Sequence, residues 1–446
     1  MNTAVRSISV PASEVHDVLA RHLLVDGFHI VPDLDRSRGS YLVDERDGKA
    51  YLDLFSNFAS QPLGWNHPAL LDPAFRERLL AAATHKPANS DVYTRFFADF
   101  VATFAEIAVP PSHAGHIFLI DGGALAVENT LKAAFDWKVR RNLAAGRGPL
   151  GTQVIHFRQA FHGRSGYTLS LTNTADPRKT EHFPKFDWPR VDNPKIVFPL
   201  EAHLAEVEAA EARAIAQIEQ AVARHGHDIA CLIVEPIQAE GGDNHFRPEF
   251  LRELRRLADR HDFLLVFDEV QTGLGLTGSM WAWQGLGVEP DLFAFGKKVQ
   301  VCGFAANRRL DEVADNVFRM PSRINSTWGG NLADMVRSTR ILEIIREDDL
   351  AGNATKMGAW LLDGLRALAA EFPGRIGQVR GRGMMIAFDL PDHETRHRLI
   401  VEARGQALLL LPCGPTSVRL RPFLDFTRED AAIALDRLAA ALRKIA

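Results

Sequence analysis

Between residues 76 and 330, short apolar segments alternate with segments whose apolar residues recur at helical spacing. The apolar segments are HIFLI (116–120), QVIHF (153–157), IACLIVE (229–235), FLLVFD (263–268) and LFAFG (292–296). Between them, apolar residues three or four positions apart, such as Phe250, Leu254 and Leu257, predict amphipathic helices. Buried strands that alternate with helices are typical of a doubly wound α/β sheet whose strands are mostly parallel. This fold class is therefore the first prediction for the chain.

The regions on either side predict a second, smaller α+β domain. Residues 1–75 contain strand segments around an Asp47-Gly48 turn, and residues 331–446 combine helical segments with further strands. We therefore expect 1–75 to contribute to the small domain, 76–330 to form the large domain, and 331–446 to complete the small one. Between residues 172 and 200, five prolines mixed with aromatic residues predict an ordered excursion without regular structure.

Charge and cysteine content argue against several classes of protein. Lys and Arg number 52 against 56 Asp and Glu, a net charge of −4 that is unlike a nucleic-acid-binding protein. Three widely spaced cysteines indicate neither a zinc site nor a disulfide framework. The first residues lack the apolar core of a signal peptide, and no apolar run approaches the roughly 20 residues of a membrane span. We expect a soluble, cytoplasmic protein without a metal, nucleic-acid or membrane partner.

Chemically informative residues follow the predicted strands at their carboxyl ends. A glycine turn that includes Gly123 and Ala124 follows the first strand, Glu235 follows the third, Asp268 ends the fourth, and Lys297 follows the fifth. Ligands of open α/β sheets bind at these strand ends, so neighbouring strands would bring the four features into one pocket. A glycine turn before a helix suits an anion, and a lysine that ends an apolar strand suits a Schiff-base amine of lowered pKa.

Each of these features also has an ordinary structural explanation. The glycines suit a tight turn, Asp268 suits a helix cap or an ion pair, and Lys297 suits a surface lysine with a buried stem. The next residue, Lys298, would point away from Lys297 along an extended segment. Only one of the two lysines is therefore expected to face the pocket.

Taken together and in order, the motifs resemble the class III aminotransferases, which are pyridoxal phosphate (PLP) enzymes of fold type I. The motifs DEVQTGLGLTG (268–278), DLFAFGK (291–297) and STWGGN (326–331) carry the resemblance, which extends over essentially the whole chain. The stretches FPKFDWPR (183–190) and GKKVQVCG (296–303) are more similar to the lysine ε-aminotransferase subfamily than to the class in general.

The resemblance implies a role for each matching residue at the cofactor. Lys297 would form the Schiff base and move the substrate proton, while Asp268 would keep the pyridine nitrogen protonated. Thr327 would reach the cofactor phosphate from the neighbouring subunit of an obligate homodimer. The remaining implied cofactor contacts are Gly123 and Ala124 at the phosphate, Phe161 and Val270 on the two ring faces, Gln271 at the ring hydroxyl, and Glu235.

The subfamily resemblance implies L-lysine, reacting through its ε-amine, and 2-oxoglutarate as substrates of one ping-pong site. Arg164 matches the position for the distal carboxylate, and Arg419 matches the position for the carboxylate beside the reacting carbon. Arg419 would face a chain of methylenes while lysine is bound, so Glu240 is expected to neutralise it and to swing away when the keto acid arrives. The other residues expected on the substrate side are Asn57, Phe58 and Ser326.

Alternative functions remain open at the level of the sequence. One is another class III ω-aminotransferase, with ornithine, 4-aminobutyrate or a β-amino acid as donor. The second is a non-catalytic scaffold with the same fold, which nothing supports because Lys297, Asp268, Gln271 and Thr327 are all present. A metal hydrolase is disfavoured because the 17 histidines are scattered.

Overall fold

A seven-stranded sheet forms the centre of the structure, a computed structural model that describes residues 9–445. The strands, numbered in chain order, are β1 (Tyr41–Val43), β2 (Ala50–Asp53), β3 (Ile117–Ile120), β4 (Gln153–Phe157), β5 (Arg190–Val191), β6 (Ile229–Val234), β7 (Ile237–Gln238), β8 (Asn244–His245), β9 (Leu264–Asp268), β10 (Leu292–Phe295), β11 (Cys302–Ala306), β12 (Gly377–Arg382), β13 (Met385–Asp389), β14 (Leu408–Leu409), β15 (Leu411–Cys413) and β16 (Ser417–Leu420).

Helices cover the sheet and form much of the two ends of the chain. The α-helices are Val15–Ala20, Pro73–Thr84, Arg95–Ile107, Gly123–Ala144, Gly166–Leu171, Leu200–His225, Pro248–Arg260, Ala282–Leu286, Leu332–Glu347, Leu350–Glu371, His393–Gly405 and Arg428–Ile445. Short 3₁₀ segments are Ala12–Glu14, Pro68–Leu70, Pro177–Lys179, Gly226–Asp228, Lys297–Val299 and Arg308–Glu312. Residues Ser56–Ala59 form a turn of left-handed backbone, with φ between 38° and 62°. Within residues 9–445, no helix combines the length and the apolar character needed to cross a bilayer.

The order of strands in the central sheet is β3-β11-β10-β9-β6-β4-β5. Neighbours from β10 to β5 are parallel, and only β11 runs antiparallel to its two neighbours, β10 and β3. The prediction of a mostly parallel, doubly wound sheet is confirmed. The sequence did not indicate β11, because CGFAA consists mostly of small residues and lacks a run of large apolar side chains such as HIFLI or FLLVFD.

The sheet is buried on both faces, as its apolar strands predict. Alternate residues of β9 belong to different hydrophobic clusters: Leu265 and Phe267 pack with Leu254 of the helix Pro248–Arg260, whereas Leu264 and Val266 pack in the cluster around the helix Gly123–Ala144. Side chains alternate along a strand, so helices on both faces give a three-layer α/β structure. This arrangement leaves the carboxyl ends of the strands free to form a site.

The two ends of the chain are joined in a smaller α+β unit. Strand β14, near the C-terminus, pairs in parallel with β2 in a three-stranded sheet, and β12-β13-β16-β15 form an antiparallel sheet. The boundaries at 75/76 and 330/331 stay predictions. The proline-rich excursion is mostly irregular, as expected, but contains the 3₁₀ turn Pro177–Lys179 and the edge strand β5, so the prediction is wrong at these two places. Both lie next to prolines, which sheet edges and first turns tolerate.

Candidate active site

A cavity of about 950 Å³ lies beyond the carboxyl ends of β4, β6, β9 and β10. Among the residues expected at the site from the sequence, those that line it are Phe58, Gly123, Ala124, Phe161, Arg164, Glu235, Glu240, Asp268, Val270, Gln271, Lys297 and Arg419. The parallel sheet brings these residues together from distant parts of the sequence, because all its parallel strands end at one edge.

Lys297 enters the cavity where β10 ends and a 3₁₀ turn begins. Its backbone has φ of +47°, so the segment is not extended as the sequence suggested, and the chain turns sharply at this residue. Burial lowers the pKa of the Lys297 ammonium, and the nearby Arg419 guanidinium lowers it further. Such an amine is more readily neutral and therefore more nucleophilic. Lys298 points elsewhere: it is buried and donates to the Ala59 carbonyl at 2.6 Å, which confirms that only one of the two lysines faces the cavity.

Asp268, at the end of β9, is held by a buried histidine, His162, which is not among the residues predicted from the sequence. His162 Nδ1 lies 2.8 Å from Asp268 Oδ2, and the Val270 backbone N–H donates to Asp268 Oδ1 at 3.0 Å. Burial opposes the charged imidazolium, but the hydrogen bond to Asp268 and the charge of that carboxylate outweigh it and raise the pKa of His162. The only local signal for His162 is its place beside Phe161 in the loop after β4.

Glu235 connects two loops at the rim of the cavity. Its carboxylate oxygens accept hydrogen bonds from the Phe161 N–H at 2.9 Å and from the Ala239 N–H at 3.0 Å. Burial raises the pKa of Glu235 to about 7. The residue therefore fixes the position of Phe161 and of the turn that precedes Glu240.

The helix Gly123–Ala144 begins at the cavity, after Gly122 with φ of +94°. Neighbouring loops approach its first turn closely: a Cβ on Gly123 would lie 3.0 Å from Val270 Cγ1, and one on Gly163 would lie 2.6 Å from the Ala124 Cβ. Backbone N–H groups at a helix N-terminus have no partner within the helix, and the helix dipole favours an anion there. This end of the cavity is suited to a phosphate.

Gln271 lies between two arginines, of which Arg421 was not singled out in the sequence. Gln271 Oε1 accepts from Arg419 Nη1 and from Arg421 Nε, both at 3.2 Å. Since the carbonyl oxygen faces the guanidinium groups, the amide N–H₂ is left to donate to a ligand. Arg421 forms a fully buried ion pair with Asp243, at 2.8 Å between Nη1 and Oδ2. This pair balances the charge of Arg421, whereas Arg419 has no hydrogen-bonded carboxylate among residues 9–445.

Glu240 has a partner other than the one expected. Its Oε1 accepts from Lys179 Nζ at 2.6 Å and from Thr174 Oγ1 at 2.9 Å, whereas the expected partner was Arg419. Lys179 also lines the cavity. No sequence pattern indicates Lys179, because it lies in the irregular, proline-rich excursion.

Three of the expected residues lie outside the cavity of their own chain. Asn57 donates to Gln61 at 2.9 Å, although its neighbour Phe58 in the left-handed turn does line the cavity. The Ser326 carbonyl accepts a hydrogen bond from Ser90 Oγ at 2.5 Å, and Thr327 is exposed. One chain therefore does not bring these three residues to the site.

The residues that do meet in the cavity fit a phosphorylated pyridine aldehyde. A lysine of lowered pKa suits the aldehyde, the Asp268 carboxylate suits a ring nitrogen, and the start of the helix Gly123–Ala144 suits the phosphate. An aromatic side chain, Phe161, and a branched one, Val270, are available for the flat ring.

Comparisons with known proteins agree with this chemistry. A family model described as aminotransferase class-III matches residues 25–442. The L-lysine-epsilon aminotransferase of Mycobacterium tuberculosis is 56% identical, with 95% of each chain covered, and that of Amycolatopsis lactamdurans is 52% identical, with 97% of this chain and 96% of that protein covered. A solved structure, a lysine aminotransferase from M. tuberculosis in the internal aldimine form, matches with a TM-score of 0.96 and 53% identity over 98% of this chain and 100% of that one. The chain therefore belongs to the class III aminotransferases, which are PLP-dependent enzymes of fold type I.

Proposed function

We propose that this enzyme transfers the ε-amino group of L-lysine to 2-oxoglutarate, giving 2-aminoadipate 6-semialdehyde, which cyclises to piperideine-6-carboxylate, and L-glutamate. The observation that carries the proposal is one cavity in which the amine of Lys297 and the carboxylate of Asp268 meet two arginines, Arg164 and Arg419. Relatives named for the lysine reaction, at more than half identity over nearly the full length, support lysine as the donor.

The residues of the cavity account for the steps that the protein itself performs. PLP, when bound, supplies a ring that stabilises negative charge on the substrate carbon that loses a proton. The Lys297 amine takes that proton and returns it, since its pKa is lowered by burial and by Arg419 and a neutral amine can accept a proton. Asp268, fixed by His162, provides the carboxylate for the pyridine nitrogen, and Gln271 offers its amide N–H₂ to the ring hydroxyl. Gly123 and Ala124 offer their N–H groups to the phosphate.

The two arginines suit the different positions of the carboxylates in the two substrates. Lysine carries its carboxylate far from the reacting nitrogen, whereas 2-oxoglutarate has one carboxylate beside the reacting carbon and a second one further away. Arg164 is exposed where it lines the cavity and suits the distal carboxylate in both cases. Arg419 is buried and suits the near carboxylate of the keto acid, because a guanidinium binds a carboxylate through two parallel hydrogen bonds.

We also propose that the active enzyme is a homodimer whose subunits complete each other's sites. Thr327 is exposed and lies outside its own cavity, which is the placement expected of a residue that serves the partner. Ser326 belongs to the same segment and would reach the partner's substrate in the same way. Phe58, at the cavity, and Asn57, beside it, stay predicted substrate contacts, and the cytoplasmic location stays a prediction.

The test is a spectroscopic titration of the enzyme purified with its cofactor. Addition of L-lysine should convert the aldehyde form of the cofactor to the pyridoxamine form, and 2-oxoglutarate should restore it. The cyclised product should react with o-aminobenzaldehyde. The variant Lys297→Ala should lose at least about a thousandfold in turnover, because it lacks the group that transfers the proton.

Parallel titrations separate the alternatives. Conversion by ornithine, 4-aminobutyrate or a β-amino acid, without conversion by lysine, would show that the proposed donor is wrong while the family assignment holds. A protein that binds the cofactor and reacts with none of these amines would be the non-catalytic scaffold.

A further inference from the structure

The carboxylate of Glu240 is held at the edge of the cavity by two residues of the proline-rich excursion. Lys179 Nζ and Thr174 Oγ1 both donate to Glu240 Oε1, at 2.6 and 2.9 Å. The other oxygen, Oε2, is buried and has no hydrogen-bond partner within the described residues. The position of this carboxylate therefore depends on Lys179, its hydrogen-bonded countercharge.

Arg419 is a buried cation of the cavity that makes no hydrogen bond to a carboxylate of the described residues. It is 5% exposed, its side chain donates to the neutral Gln271 Oε1 at 3.2 Å, and its Nε is buried without a partner in the part of the chain that the structure describes. The nearby Asp243 is already paired with Arg421. A buried guanidinium that has no paired anion attracts any carboxylate that can reach it.

We propose that Lys179 is a specificity-determining residue that, with Thr174, holds Glu240 away from Arg419 and so keeps Arg419 available to the carboxylate beside the reacting carbon of a dicarboxylate acceptor. The inference rests on the proposed function, in which 2-oxoglutarate is that acceptor. Without the ammonium of Lys179, Glu240 would lose its countercharge. Its carboxylate would then pair with Arg419 and compete with the acceptor for the same guanidinium.

The local structure explains how Lys179 reaches its place. It is the last residue of the 3₁₀ turn Pro177–Lys179, whose first turn is capped by Asp176 through the Arg178 N–H at 3.2 Å. The Arg178 side chain, which is 83% exposed, folds back onto the Asp176 carboxylate at 2.8 Å. Lys179 thus contacts Glu240 at the cavity, whereas the adjacent Arg178 contacts Asp176 at the surface. Arg178 is therefore a matched control of similar size and equal charge.

The experiment is titration calorimetry of glutarate, an unreactive dicarboxylate, into the enzyme with its cofactor bound. Lys179→Met should raise the Kd for glutarate about tenfold, because Glu240 then occupies Arg419. The rate at which L-lysine converts the cofactor should change less than twofold, since lysine does not use Arg419. Arg178→Met should leave both measurements within twofold of the wild-type enzyme.

A double variant tests whether Glu240 causes the weaker binding of glutarate in Lys179→Met. Lys179→Met combined with Glu240→Gln should bind glutarate within about twofold of the wild-type enzyme, because no carboxylate remains to occupy Arg419. If the double variant binds as weakly as Lys179→Met, then Lys179 attracts the ligand directly and the proposal is wrong. It is also wrong if Lys179→Met binds glutarate normally, or if the wild-type enzyme does not bind glutarate. Failure of wild-type enzyme to react with lysine would contradict the proposed donor and leave the calorimetric result intact.

Discussion

At the scale of single residues, chemistry in the cavity depends on what surrounds each ionisable side chain. The pKa of Lys297 is lowered by burial and by Arg419, and Asp268 is oriented by a hydrogen bond to His162. Neither effect is a property of the residue type. Each follows from burial and from a neighbour that is distant in the sequence.

His162 provides the prediction at this scale. Replacing it by Phe removes a hydrogen bond to a charged group, an interaction of about 1.5–3 kcal/mol, so kcat/KM for the amine donor should fall roughly ten- to a hundredfold. His162→Asn keeps a donor and should retain more activity than His162→Phe. Steady-state kinetics together with the pH dependence of the cofactor absorption would report the change. Equal losses in the two variants, with an unchanged pH profile, would indicate a packing role only.

At the scale of the elements, the site is a consequence of how the sheet is assembled. Strands β6, β9 and β10 run parallel and end at the same edge, where they deliver Glu235, Asp268 and Lys297. The antiparallel strand β11 then runs back between β10 and β3. It therefore links the segment that carries Lys297 to the strand that precedes the glycine turn.

The tight pairing of β11 gives a prediction about stability. A Cβ on Gly303 would lie 2.0 Å from the Phe118 carbonyl oxygen of β3, so Gly303→Ala should lower the free energy of unfolding by about 1–3 kcal/mol. Chemical denaturation, followed by circular dichroism, would measure it. Gly115→Ala is the matched control, because nothing lies within 4 Å of its added Cβ, and it should stay within about 0.5 kcal/mol of wild type. Equal stability of the two variants would show that β11 can shift away from β3.

At the scale of the whole molecule, the two ends of the chain meet and together close the cavity. Leu52 of β2 pairs with Leu408 of β14, and Ser40 donates to Asp430 at 2.9 Å. The buried pair of Arg421 and Asp243 ties this region to the loop that carries Glu240. A substrate therefore contacts both the large sheet and the unit formed by the chain ends.

The proposed homodimer gives the prediction at this scale. The exposed apolar residues Val92, Tyr93 and Trp328 lie near the segment of Thr327, which Ser90 ties to Ser326. Sedimentation should show a particle of twice the 49.5 kDa chain mass, and Tyr93→Asp should weaken the dimer at least about tenfold and loosen cofactor binding. Leu143→Asp, an exposed position on the helix Gly123–Ala144, should sediment as the wild type does. A monomeric wild-type enzyme with firmly bound cofactor would contradict the proposal.

The central strands and the residues at their ends could be predicted from local sequence. Apolar runs such as FLLVFD are specified by burial on both faces, and all five predicted strands of the central sheet are present. Local sequence does not indicate β11, whose small residues carry no periodic signal, or the helix His393–Gly405. His162, Arg421 and Lys179 could not be predicted either, since none of them stands in a pattern that indicates its partner.

The amino-acid sequence by itself determined the type of sheet, the strand ends and the class of reaction, because hydrophobic patterning and ordered motifs are local or sequential properties. The tertiary structure alone decided which charges face one another: His162 with Asp268, 106 residues apart, Asp243 with Arg421, 178 apart, and Lys179 with Glu240, 61 apart. A buried charge is stabilised by whichever partner the fold places within hydrogen-bonding distance, and that distance exists only once the sheet and the chain ends have come together.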